Sequence, residues 1–294
     1  MKIAWLTDPH LEFRSEPSKT VDDIAKVVLA RSVDLFLVGG DICTIRQHQK
    51  RHTRAAAELL SFHPKTLAVL GNHDLWDDEG TYRPPDGMKI ALENMMNAGT
   101  NLSSHVFLEK KWDDDETVAT LDDGVIVVVG SMGFPDFEAS LYKDRADYLN
   151  RAQHFTRDVD FMNLYDGFLV HTTVMQAAFE KRLLKALGLP CKDIVVLTHY
   201  PILEGQRGPS RDDIGAYFFN WTMGNMVKKA AVEHPEIHFT VLAGHAHEYC
   251  HGVWEAELPN LVCYGFKTDY YHQKLGFFDL SKPTESMEII TLNA

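Results

Sequence analysis

Five short apolar runs in this sequence end on residues able to ligate metal ions. Residues 3–7 lead into Asp8-Pro9-His10, and residues 35–39 into Gly40-Asp41. Residues 67–70 lead into Gly71-Asn72-His73-Asp74, 194–198 into His199-Tyr200-Pro201, and 239–243 into Gly244-His245-Ala246-His247. Asp, Asn and His without Cys form a hard-to-borderline N/O donor set, suited to Mn, Fe, Zn, Ni or Co rather than to soft-metal or iron–sulfur chemistry. Two carboxylates and three or four imidazoles exceed what one four-coordinate ion needs. The surplus points to two ions sharing a bridging carboxylate. Gly40, Gly71 and Gly244 let a tight turn present the next side chain. Each motif alone is common: Asp-x-His arises by chance, Gly-Gly-Asp is a plain turn, and His-Ala-His reads as two surface histidines. The ordered set, each member at the end of an apolar run, carries the meaning.

The runs themselves are short and rich in β-branched residues, which favours buried strands over helices. Residues 125–130 are a sixth such run, ending in Ser131-Met132 with no evident ligand. The carboxyl ends of strands form the ligand crevice of α/β sheets, so parallel neighbouring strands would bring all five sets together. Helices are expected at 20–30, 53–62 and 173–187. In the last, Phe179, Leu183 and Leu187 recur on one face, and Gly188 and Pro190 stop it. Residues 261–266, 275–280 and 287–292 are strand-like and predict an antiparallel meander, with Ser281-Lys282-Pro283-Thr284 as a turn. Residues 131–166 break the rhythm with aromatics and charges, including Tyr142, Arg145 and Tyr148. The stretch reads either as a lid, with Tyr142 and Arg145 touching substrate, or as a packed excursion. Tyr200, next to His199, either shapes its turn or lines the substrate site.

The 294 residues carry no repeat, low-complexity tract or linker, and a single domain over 1–294 is expected. The four cysteines are scattered, none at CxxC spacing, which fits a reducing compartment. The N-terminal apolar stretch is too short for a signal-peptide core and no run is long enough to span a bilayer, so no membrane role is expected and cytoplasm is the expected location. A net charge of −13 disfavours long polyanions such as nucleic acid and leaves small phosphorylated molecules as the expected substrates.

The order D-x-H, GD, GNHD, H, GHxH resembles the calcineurin-like metallophosphoesterase superfamily, and covers Asp8 to His247. The resemblance implies a four-layer αββα sandwich, two mixed sheets face to face with helices outside. It implies one metal on Asp8, His10, Asp41 and His247 and another on Asp41, Asn72, His199 and His245. His73 would stand over the phosphate as a catalytic residue, oriented by Asp74. The Ser/Thr protein phosphatases of this group carry Asp-Arg-Gly soon after GD and Glu after GNH. Here Gly40-Asp41-Ile42-Cys43-Thr44-Ile45-Arg46 lacks the first, and Asp74 replaces the second. The chain is more similar to the bacterial-type phosphodiesterase branch. Two-metal chemistry then implies phosphodiester or phosphomonoester hydrolysis by a metal-activated hydroxide attacking in line, with His73 protonating the leaving oxygen. A nuclease of the same superfamily is the alternative. A noncatalytic scaffold on this fold typically loses ligands or the GNH histidine, and none is missing here.

Overall fold

The computed structural model describes residues 1–44, 50–76, 84–98, 102–136, 138, 158, 168–206, 215–247, 250–254, 258–265, 268 and 272–292. All six central runs are strands: β1 (Lys2–Leu6), β2 (Leu35–Gly39), β3 (Thr66–Val69), β5 (Ile126–Ser131), β6 (Asp193–Thr198) and β7 (His238–Ala243). They divide between two sheets. β1, β2 and β3 run parallel in a five-stranded sheet, where β10 (Gln273–Asp279) pairs antiparallel with β1 and β11 (Glu288–Leu292) with β10. β5, β6, β7 and β9 (Leu261–Gly265) run parallel in a six-stranded sheet, edged by antiparallel β4 (Ala119–Leu121) and β8 (Cys250–Trp254). The expected three-stranded meander is therefore corrected. Only β10 and β11 form it, while β9 crosses to lie beside β7. Partner choice over such sequence distances is not encoded in a strand's own pattern.

The strands read as continuous apolar runs because both of their faces are buried. Ile3 and Trp5 of β1, and Leu35 and Leu37 of β2, pack against Val128, Val195, Leu197 and Leu242 of the other sheet. The alternate residues Ala4, Leu6, Phe36 and Val38 face outward onto α1 (Pro17–Ala30), α2 (Lys50–Ser61) and α3 (Pro84–Met96). On the far side Val127, Val129, Ile194 and Val196 meet Phe179 and Leu183 of α4 (Phe168–Leu187) and Val227 of α5 (Trp221–Glu233). The layers are thus α, β, β, α. Two of the longer helices escaped the sequence reading, α3 and α5. The second begins where Asn220 caps the Met223 amide at 2.9 Å and Asp136 accepts from Trp221 and Thr222. Cys43, Cys191 and Cys263 are buried. Among the described residues no helix is long and apolar enough to cross a membrane.

One buried ion pair holds the carboxyl end of β5. Arg182 Nη2 donates to Glu109 Oε1 at 2.9 Å, and the same carboxylate accepts from Ser131 Oγ and the Met132 amide, both at 2.8 Å. Neither partner is exposed beyond 1%. Arg182→Met would strand the Glu109 charge in the core, and breaking such a pair typically costs about 3 kcal/mol. Urea unfolding should read that loss; a change under about 1 kcal/mol would mean Glu109 is otherwise neutralised.

Candidate metal centre

The two sheets bring the five strand ends to one edge, and hydrogen bonds continue past the strands to knit the loops. The amides of Asp8 and His10 donate to the carbonyls of Gly40 and Asp41 at 3.1 and 2.9 Å, and the Gly244 amide to that of His199 at 2.9 Å. The sheets are joined by the His245 amide, which donates to Asp8 Oδ1 at 3.0 Å. Asp8, His10, Asp41, His245 and His247 all adopt left-handed backbone, with φ between 45° and 60°. That conformation costs a side-chain-bearing residue roughly 1–2 kcal/mol. Concentrated at one site, it marks function rather than packing. Gly71 is required by space: a Cβ there would collide with the Asp41 carboxylate and amide.

Among the described residues the side chains form three adjoining groups able to hold an ion. Asp8, His10 and His247 make the first and Asp41, His199 and His245 the second; a third, His10, Glu12 and His73, shares His10 with the first. In the second, Asn72 Oδ1 lies 2.8 Å from His199 Nε2 and 3.1 Å from His245 Nδ1, and those nitrogens are 3.2 Å apart. In the first, His247 Nε2 is 3.4 Å from Asp8 Oδ1 and 3.5 Å from His10 Nε2. Donors about 2.1 Å from a common ion stand about 3.0–3.4 Å apart in octahedral or tetrahedral shells, so the spacing is that of a coordination sphere. Asp41 serves both: Oδ1 is 3.3 Å from His199 Nε2 and Oδ2 is 3.7 Å from His10 Nε2.

Hydrogen bonds behind the rings aim the nitrogens. His199 Nδ1 lies 3.0 Å from the Gly39 carbonyl, and His10 Nδ1 lies 3.2 Å from Glu12 Oε1. A carbonyl or carboxylate can only accept, so both Nδ1 atoms carry hydrogen and both Nε2 lone pairs face the cluster. Burial holds His199 down at about 4, and burial together with His199 keeps His245 well below the usual histidine range. His199 and His245 are therefore neutral, as ligation requires. Burial, with the charges of Asp8 and Asp74 adding to it, lifts the Asp41 carboxyl well above its ordinary value. Asp8 resists burial through His247 and stays far below its own. Buried carboxylates crowded beside the neutral His199 and His245 fit cations by charge as well as by donor type.

His73 sits beside this cluster, its ring stacked on Trp76 at 3.6 Å and edge-on to His10 at 4.5 Å. Its carboxylate partner is Glu12, with Nδ1 2.9 Å from Oε1, and not Asp74. The Asp74 carboxylate instead accepts from the amides of Ile42, Cys43 and Gly71 at 2.8–2.9 Å. It tethers the Asp41 turn to the Gly71 turn, and its expected role of orienting His73 is corrected. Tyr200 is corrected too. It is fully buried, packed on His245 with its hydroxyl on Asp158, and so presents no surface to a substrate. Tyr142 and Arg145 lie outside the described residues. The sequence reading missed Glu12, Trp76 and Asp158. Glu12 had one available signal, its position two residues after His10 in the short turn Leu11–Phe13.

The family model for calcineurin-like phosphoesterase matches residues 1–249. Among curated protein sequences, none matches the chain. Among solved structures, phosphopantetheinyl hydrolase from Mycobacterium tuberculosis aligns with a TM-score of 0.62 at 15% identity, over 90% of each chain. The protein TT1561 of Thermus thermophilus aligns at 0.50 and 13% identity, over 99% of this chain and 98% of that one. A dimetal phosphatase from Danio rerio aligns at 0.48 and 11% identity, over 100% and 98%. At these identities the likeness is one of fold.

Proposed function

The chain belongs to the calcineurin-like phosphoesterase family, whose members are metal-dependent phosphoester hydrolases, and we propose that it hydrolyses a small phosphoester using two transition-metal ions. Asp8, His10, Asp41 and His247 would hold one ion, and Asp41, Asn72, His199 and His245 the other. The observation that carries this reading is Asp41, whose two oxygens face the first two donor groups separately. Bound there, the ions would lower the pKa of a water nucleophile and neutralise phosphoryl oxygens.

The chain's own residues supply the rest. Burial of the donors excludes water from the rear of the site. His73, held by Glu12 and Trp76 rather than among the first two donor groups, is placed to serve the departing oxygen as general acid. A net charge of −13 and the absence of Asp-Arg-Gly after Gly40-Asp41 support a small ester, of diester or monoester type, over a nucleic acid or a phosphoprotein.

Metal-free protein titrated with Mn²⁺ should take up about two ions per chain, and the loaded protein should turn over small aryl phosphodiesters or monoesters. Uptake of a single ion at saturation would end the two-ion reading. Phosphoprotein or polynucleotide turnover exceeding that of every small ester tested would end the substrate reading.

A further inference from the structure

Asp158 belongs to the stretch that broke the strand–helix rhythm, 86 residues from Asn72 in sequence. Its carboxylate is buried, 6% exposed, and accepts from three side chains at the metal centre. Oδ1 takes the Asn72 amide nitrogen at 2.8 Å and the Trp76 indole N–H at 2.7 Å, and Oδ2 takes the Tyr200 hydroxyl at 3.2 Å. Each of these three abuts the site. Asn72 turns its Oδ1 to His199 and His245. Trp76 stacks on His73. Tyr200 packs on His245 with ring centroids 3.9 Å apart.

Resting on the two-ion reading above, we propose that Asp158 is a positioning residue that selects which atom of Asn72 faces the second ion. A primary amide has two nearly isosteric ends, one an acceptor and one a donor of two hydrogens. Only the oxygen can ligate a cation. Asp158 Oδ1 already accepts from the Trp76 N–H and is met by the Asn72 nitrogen, so it admits the NH₂ end and excludes the oxygen. The oxygen is thereby turned to the cluster, where it meets His199 and His245. The same oxygen that receives Asn72 receives Trp76, so the amide and the platform under His73 share one anchor. Of the three partners, Asn72 and Tyr200 adjoin the second donor group, and none is a donor of the first. The effect is thus directed at one of the two ion positions.

Asp158→Asn keeps the shape and removes the selection, because an amide can pair with either end of Asn72. Partners of this kind typically govern metal affinity by 10–100-fold. In Mn²⁺ titrations of the metal-free protein, followed calorimetrically, one of the two binding events should weaken by that factor in Asp158→Asn and in Asp158→Ala, with the other within about threefold. Site identity follows from combining each change with His247→Ala, which disables the first position, and with His245→Ala, which disables the second. The remaining ion should weaken further in the first combination and stay as it was in the second. Circular dichroism and thermal melts confirm that each variant is folded. Two unaltered events in both folded variants would overturn the proposal and leave the two-ion reading intact, as would equal weakening of both events, which is the mark of a general packing role. A wild-type protein taking up fewer than two ions would overturn both.

Discussion

Asp41→Asn is expected to empty both metal positions and lower kcat/KM on any phosphoester by about 10²–10⁴-fold. The size follows from sharing. Even a residue that only supports a ligand is worth about 10–100-fold in metal affinity, so a bridging donor lost at both positions compounds to roughly 10²–10⁴-fold. The same change should raise the stability of the metal-free protein. Without cations, Asp41 is a fully buried carboxyl opposed by Asp8 and Asp74, and it must either bear that repulsion or take up a proton. Asn avoids both, and its Oδ1 can still accept from the His73 amide that now donates to Asp41 at 2.9 Å. Two signs are thus opposed. The variant should melt higher than wild type in chelator and gain little on adding Mn²⁺, whereas wild type gains by mass action on the native state. Elemental analysis finding both positions filled at wild-type affinity would reject the bridge. A lower melting temperature in chelator would reject the crowding argument.

The donors of this site were legible because chemistry and architecture coincide in short motifs. A strand buried on both faces is a continuous apolar run, and its carboxyl end is where the run stops, so Asp8, Asp41, Asn72, His199 and His245 announce both their type and their place. What the motifs conceal is side-chain direction and long-range pairing. Asp74 neighbours His73 in sequence, yet its carboxylate closes on three amides below the turn while Glu12, 61 residues away, reaches the imidazole. Tyr200 follows a ligand but points inward to Asp158. Asp158 sits in a stretch with no periodicity to place it. The left-handed backbone at five donors is likewise invisible in the letters, although Asp and His are among the residues that tolerate it best. Glu12 and Asp158 share one property that explains why both escaped notice: each reaches a residue far from it in the chain, His73 for Glu12 and Asn72 for Asp158, through hydrogen bonds that only the folded sheets create.

His73→Ala is expected to lower kcat by about 10²–10⁴-fold, the range of general acid catalysis, while metal content is unchanged. The geometry gives the reason. His73 Nδ1 donates to Glu12, so Nε2 is the nitrogen left to deliver a proton to the departing oxygen. Alkyl leaving groups need that proton and nitrophenolate does not, so the loss should be large for alkyl esters and small for nitrophenyl esters. Loss of a bound ion in the variant would make His73 a ligand, a role its nearness to His10 and Glu12 allows. Glu12→Gln separates orientation from charge. The amide oxygen can still accept from one imidazole, but a single Glu12 oxygen now serves both His10 and His73, at 3.2 and 2.9 Å, and burial notwithstanding these two partners hold its carboxyl down at about 2. Removing the charge therefore weakens the hold on both rings at once. The variant should show a smaller loss in kcat than His73→Ala with the same leaving-group trend, and a weakened ion at Asp8, His10 and His247. A loss uniform across leaving groups would leave His73 an electrostatic role only, and wild-type kcat for every leaving group in Glu12→Gln would place the orientation of His73 on Trp76 alone.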